Sequence, residues 1–148
     1  MIEPFNDDYF MKQALEEAKK AADIGEIPVG AVVVANNQII ARSHNLTEKL
    51  NDVTAHAEMQ AITSAAEYLG GKYLNECTLY VTLEPCIMCG GALSWAQIKK
   101  VVFGARDNKR GASNGDNIYH PKTEVLSGVM ENECSELING FFTKKRKR

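Results

Sequence analysis

The 148-residue sequence predicts an α/β fold, a three-layer α-β-α sandwich with helices on both faces of a mixed sheet of about five strands. Three observations carry this prediction. The β-branched run Val29–Ala35 is followed by an Asn36-Asn37 turn and a returning strand, which makes an antiparallel hairpin. Two later runs, Thr78–Thr82 and Lys100–Phe103, are separated by a stretch long enough for the crossover helix that parallel neighbours require. Apolar residues elsewhere recur at helical spacing before, between and after these strands.

In chain order, Phe10, Met11, Ala14, Leu15, Ala18, Ala21 and Ala22 put residues 7–24 on an amphipathic helix that Gly25 ends. Pro28 and Gly30 open the first strand, Gln38–Ser43 returns beside it, and the polar stretch 44–54 reads as a loop. Ala55, Met59, Ile62, Ala66 and Leu69 mark a second helix, stopped by Gly70-Gly71. Pro85 suits the first turn of a third helix, where the N–H it lacks would be unpaired anyway. That helix reads to Gln97. A Gly/Asn-rich loop spans 104–121, Glu124–Leu126 gives a short fifth strand, and Cys134, Leu137, Ile138, Phe141 and Phe142 define a final helix.

The length suits one domain over 1–148, with a basic tail at 144–148. No apolar run approaches the roughly 20 residues needed to span a bilayer. The start, Met1-Ile2-Glu3-Pro4, lacks the basic and apolar regions of a secretory signal, so the expected location is cytoplasmic. Net charge is −2, yet Lys144, Lys145, Arg146, Lys147 and Arg148 concentrate positive charge at one end, leaving a more acidic body. Such a tail reads either as an arm for a polyanion or as a solvated terminus. Lys99, Lys100, Arg106, Lys109 and Arg110 form a second basic group, expected closer to the site. Of four cysteines, Cys77 and Cys134 stand in apolar surroundings and read as buried thiols.

Cys86 and Cys89 are different, because one helical turn separates them and turns both sulfurs the same way. A helix start also stabilises thiolate over thiol. His56 adds an imidazole at a second expected helix start, with Glu58 two residues on. Two residues apart on a regular helix point about 200° away from each other, so His56 and Glu58 serve one pocket only at the helix's N-terminal end. One imidazole and two thiolates leave a fourth zinc position open to water, which is the arrangement of a catalytic rather than a structural site. Glu58, left off the metal, then reads as a proton shuttle. His-x-Glu followed by Pro-Cys-x-x-Cys is the recognised signature of zinc nucleobase deaminases. Taken alone, the cysteine pair would read equally as a redox pair or as half of a zinc finger.

His44-Asn45, Thr54–Glu58, Leu79–Cys89 and Val101–Asp107 together make the chain resemble the bacterial tRNA-specific adenosine deaminases of the cytidine-deaminase-like superfamily. The resemblance extends from Pro28-Val29-Gly30 to Phe141-Phe142. It implies zinc on His56, Cys86 and Cys89, and Glu58 as the catalytic carboxylate. It further implies that Asn45 hydrogen-bonds the flipped base, that Ile27 and Pro28 line its pocket, and that Asp107 lies near the anticodon-loop backbone. The implied substrate is the wobble adenosine of an arginine tRNA, converted to inosine by a homodimer whose two subunits both touch the tRNA. Two departures stand out. Val53 replaces a proline common in relatives, and Ser113–Lys122 is a shortened segment lacking their asparagine-histidine-basic triplet.

Blander readings accompany these residues. Asn45 and Asp107 also suit ordinary turns, Met88 reads as core, and Trp95 as core or dimer contact. Two other functions fit the same motif: a deaminase of a free base or nucleoside such as guanine or cytosine, and an inactive, zinc-stabilised tRNA-binding protein.

Overall fold

The computed structural model describes residues 5–146, and for Arg146 the backbone only. The expected start at Met1–Pro4 and the last two tail residues, Lys147 and Arg148, lie outside the described residues. The elements are α1 (Asp7–Asp23), β1 (Gly30–Ala35), β2 (Gln38–His44), α2 (Ala57–Leu69), β3 (Thr78–Leu83), α3 (Ile87–Trp95), β4 (Lys100–Ala105), a 3₁₀ turn (Ala112–Asn114), β5 (Glu124–Ser127) and α4 (Glu131–Arg146).

The sheet order is β2-β1-β3-β4-β5. Strand β1 runs antiparallel to β2 and β3, while β3, β4 and β5 are parallel, so the sheet is mixed as expected. Asn36 and Asn37, with φ of 52° and 61°, turn the β1–β2 hairpin in the left-handed conformation that a two-residue connection needs. Because side chains alternate along a strand, the sheet builds two cores. Ala31, Val33, Leu79, Val81, Val101 and Phe103 meet Ala57, Ala61 and Ala65 of α2 and Leu93 of α3. Val32, Val34, Tyr80 and Val102 meet Phe10, Met11, Ala14 and Leu15 of α1 and Cys134 of α4. These are the three predicted layers.

This topology gathers one end of the sheet. Since β1 is antiparallel to β3, the start of β1 and the end of β2 stand beside the ends of β3 and β4. Both α2 and α3 begin there, each after its strand, which is where ligands bind in open α/β sheets.

Several local expectations need correction. Pro85 precedes the N-cap instead of occupying the first turn of α3, which starts at Ile87. That helix ends at Trp95, because Gln97 turns into the left-handed region with a φ of 56°. Helix α2 begins at Ala57, not Ala55, and Gly70 closes it in the left-handed conformation. Neither Met88 nor Trp95 is core: they are 39% and 87% exposed, because α3 turns Cys89, Gly90 and Leu93 inward and little else. Cys77 and Cys134 are buried as expected, and burial pushes both thiols up, Cys134 to about 12. Among the described residues, no helix is long and apolar enough to cross a membrane.

Candidate active site

His56 is the N-cap of α2, with extended backbone at φ −69° and ψ 156°. That conformation resolves the spacing problem. His56 stands outside the helical repeat while Glu58 is already inside it, so the two side chains are free of the roughly 200° separation. Cys86 is the N-cap of α3, also extended, and its sulfur accepts the Cys89 N–H at 3.4 Å. The Nδ1 atom of His56 lies 3.7 Å from Cys86 Sγ and 3.4 Å from Cys89 Sγ.

These three residues bring one ligand atom each to within 4.8 Å of one another. Zinc bonds of about 2.3 Å to sulfur and about 2.0 Å to nitrogen, at tetrahedral angles, separate the two ligand types by about 3.5 Å. The observed separations bracket that value, so the donor set fits a tetrahedral metal with one position left over. The cysteines are electrostatically unequal. A hydrogen bond from Cys89, assisted by His56 and opposed by burial, lowers the Cys86 thiol to about 4, while that same bond and burial push Cys89 up.

Glu58 is 4% exposed. Burial pushes its carboxyl up to about 7, against the pull of its own backbone N–H and of His56. A carboxyl poised near neutrality beside three metal donors can both take and release a proton.

The end of β2 anchors this helix start. Asn45, which is buried, accepts the Ala57 N–H on its side-chain oxygen at 2.8 Å, and the Ser43 hydroxyl donates to the Ala57 carbonyl at 2.6 Å. Gln60 reaches back to donate to the His44 carbonyl at 2.7 Å. Asn45 therefore does more than turn the chain: it caps α2, which His56 does not cap with its own side chain. Pro28 is buried and Ile27 is 39% exposed, just before β1 at the same end of the sheet. Below them, the buried Glu26 carboxylate accepts the N–H groups of Glu48 and Lys49 and the Thr47 hydroxyl, holding the loop that leads to His56.

On the opposite side, Asp107 accepts the N–H groups of Lys109 and Arg110 on one carboxylate oxygen, so it caps a turn. The turn is tied to β3 by Glu84, which is 3% exposed and accepts the Asp107 and Ser113 N–H groups, each at 3.0 Å. The 113–122 segment places Tyr119 beneath α3, where its buried hydroxyl has no hydrogen-bond partner among the described residues. Burial raises that phenol, as do the charges of Glu84, Glu58 and both cysteines.

The second basic group does not form one patch. Lys99 and Lys100 lie at the start of β4 and Arg106, Lys109 and Arg110 beyond its end, so a strand length of roughly 17 Å divides them. Only the latter three stand at the end of the sheet that bears His56 and the cysteines; Lys100 instead pairs with Glu124 at 3.4 Å. Glu26, Ser43, Gln60, Glu84 and Tyr119 carried no signal in the sequence, since the partners of the first four are backbone groups brought near only by folding.

The geometry matches known proteins throughout its length. The MafB19-like deaminase family matches residues 5–146. The tRNA-specific adenosine deaminase of Bacillus subtilis (strain 168) is 47% identical over 148 residues, covering 96% of this chain and 92% of that protein. A solved structure from studies of A-to-I editing by tRNA:A34 deaminases at the wobble position of transfer RNA has a TM-score of 0.82 and 45% identity, covering 87% of this chain and 98% of that one. The guanine deaminase of Bacillus subtilis is similar at a TM-score of 0.65 and 43% identity, covering 68% of this chain and 65% of that one. By its three clustered metal donors, its buried Glu58 and the near full-length match, the chain belongs to the tRNA-specific adenosine deaminases, within the MafB19-like deaminase family.

Proposed function

We propose that the protein hydrolyses adenosine to inosine at the wobble position of an arginine tRNA anticodon, with one zinc ion held by His56, Cys86 and Cys89. The observation that carries this reading is the buried Glu58 carboxyl beside three metal donors. The bound ion would supply a water acidified toward neutral pKa at its open position. Glu58 takes a proton from the attacking water and delivers it to ring nitrogen N1 as oxygen bonds to C6. The same carboxylate then takes the proton of the new C6 hydroxyl and passes it to the N6 amine; the C6–N6 bond breaks, ammonia leaves, and C6 becomes the carbonyl of inosine.

The other residues bind and orient. Asn45 spends its oxygen on the helix, leaving its amide NH₂ to donate to the base. Ile27 and Pro28 form an apolar wall. The anticodon loop is already single-stranded, so little unpairing energy is needed to extract the base. Asp107 stands near the loop backbone, and Arg106, Lys109, Arg110 and the basic tail supply phosphate contacts. The exposed apolar side chains of α3, Ile87, Met88 and Trp95, support a homodimer through this helix. Sedimentation of Trp95→Lys as a monomer, against a dimeric parent, checks that assembly.

The deciding experiment incubates the zinc-loaded protein with unmodified arginine tRNA and sequences the anticodon, with free guanine and cytosine as parallel substrates. Inosine at the wobble position is the expected result. Ammonia from guanine or cytosine and none from tRNA would make it a free-base deaminase, the reading that the likeness to guanine deaminase favours.

A further inference from the structure

Glu84 is the last residue before the Pro85–Cys89 motif, and its carboxylate accepts from the backbone of a turn in a different segment. Its two oxygens are divided: Oε1 accepts the Asp107 N–H and Oε2 the Ser113 N–H, each at 3.0 Å. Between those two amides the turn closes on itself. Asp107 caps Lys109 and Arg110, the Gly111 N–H donates to the Asp107 carbonyl at 3.0 Å, and Asn114 donates to the Asn108 carbonyl at 3.2 Å. The amides at its start and end turn inward, and one carboxylate satisfies both.

The seam beside Glu84 is equally close. The Ala112 N–H donates to the Pro85 carbonyl at 2.8 Å, and Cys86 forms a bridge with Gly111. A Cβ at Gly111 would stand 2.5 Å from Glu84 Oε1 and from Asp107 O, so this approach admits glycine alone. The Glu84 charge is also costly to bury. Among the described residues no lysine, arginine or histidine pairs with it; backbone N–H groups hold it.

We propose that Glu84 is a positioning residue for substrate: it fixes the Asp107–Ser113 turn against the first turn of α3, and so sets where Lys109 and Arg110 stand relative to the His56–Cys86–Cys89 pocket. A polyanion gripped by those side chains would then present its reactive base at a fixed depth. This inference rests on the functional reading above. Glu84 touches neither substrate nor metal in this scheme and acts only through the turn. A long nucleic-acid substrate should therefore feel its loss in binding, and the chemical step much less.

Two variants, both loaded with zinc, test this. Glu84→Gln has one acceptor oxygen for two N–H groups, and Gly111→Ala pushes the same turn away with Glu84 intact. For an arginine tRNA anticodon stem-loop, each is expected to raise KM by about tenfold or more, the worth of one charge-assisted hydrogen bond. Full zinc content should be kept, with kcat at saturation changed by much less. An unaltered KM in both variants would overturn the proposal. So would loss of zinc with a parallel collapse of kcat, since Glu84 would then be a prop for the metal helix.

Amide hydrogen exchange supplies a readout independent of substrate. The Asp107 and Ser113 amides should be protected in the parent and exchange at least about tenfold faster in Glu84→Gln. Unchanged protection would refute the positioning role. Lost protection in Glu84→Gln, alongside a parent that deaminates no tRNA, would leave the hold of Glu84 on the turn in place and sink the substrate assignment instead.

Discussion

The side-chain oxygen of Asn45 accepts the Ala57 N–H at 2.8 Å, so the helix carrying Glu58 is capped by a residue from the end of β2. The oxygen holds the helix that presents Glu58, and in the proposed function the NH₂ at the other end of the same amide donates to substrate. Conserving one end while changing the other should separate stability from activity. Asn45→Asp keeps an acceptor for Ala57 and should unfold near the parent's temperature while losing inosine formation. Asn45→Ala should lose both, with a stability cost of about 1 kcal/mol. Thermal unfolding and anticodon sequencing on the same preparations check the pair.

Glu58 and Cys86 should fail in different ways. Glu58→Gln keeps the shape of the buried side chain and all three metal donors, so zinc content should be unchanged while deamination falls by at least about a hundredfold. Cys86→Ala removes a metal donor and the sulfur that accepts the Cys89 N–H, so zinc should be lost and the folded state weakened. Metal analysis of the purified variants decides it. Full zinc occupancy in Cys86→Ala would refute the ligand assignment.

Tyr119 offers a test with the opposite sign. Its hydroxyl is buried without a partner among the described residues, and an unsatisfied buried polar group costs about 1–3 kcal/mol. Tyr119→Phe should therefore be at least as stable as the parent, and up to that much more so. A loss of more than about 1 kcal/mol in denaturant unfolding would reveal a hydrogen bond that the phenol makes.

Glu26 gives the folded state a dependence on acid. Burial works to raise its carboxyl, but the N–H groups of Lys49 and Glu48 and the Thr47 hydroxyl outweigh it and hold the group below the usual carboxylate range. A pKa lowered by folding stabilises the protein above the ordinary value of about 4.3. That contribution disappears as pH falls through the lower folded value. Unfolding free energy should thus decline more steeply below about pH 4 in the parent than in Glu26→Gln. Parallel curves would show that the 47–49 loop is not held by this charge.

The metal cluster was legible in the sequence because its chemistry is local: Cys86 and Cys89 share a helical turn, and His56 lies two residues from Glu58. The sheet was legible for a similar reason, since the β-branched run Val29–Ala35, the run Thr78–Thr82 and the Asn36-Asn37 turn are short-range signals. Glu84 and Glu26 were not. Each is a carboxylate held by two backbone amides more than twenty residues away, and amides look alike in every sequence. The division of Lys99 and Lys100 from Arg106, Lys109 and Arg110 was hidden for another reason. Sequence proximity across a strand becomes distance along the sheet, and β4 separates its two ends by its full length. Met88 reads as core from its apolar character and is 39% exposed instead, because sequence cannot say how much of a short helix the sheet covers; for Trp95, read as core or dimer contact, the core alternative falls.

The Asn36-Asn37 turn gives the molecule two unlike poles. It closes the hairpin beside Thr78, where β3 begins, whereas the metal donors and Glu58 lie where β3 ends. A strand's length of sheet keeps one pole away from the chemistry at the other. A dye, tether or affinity handle placed at Asn37 would face away from the pole that bears Glu58 and the cysteines, making this turn the natural point from which to hold the enzyme during turnover.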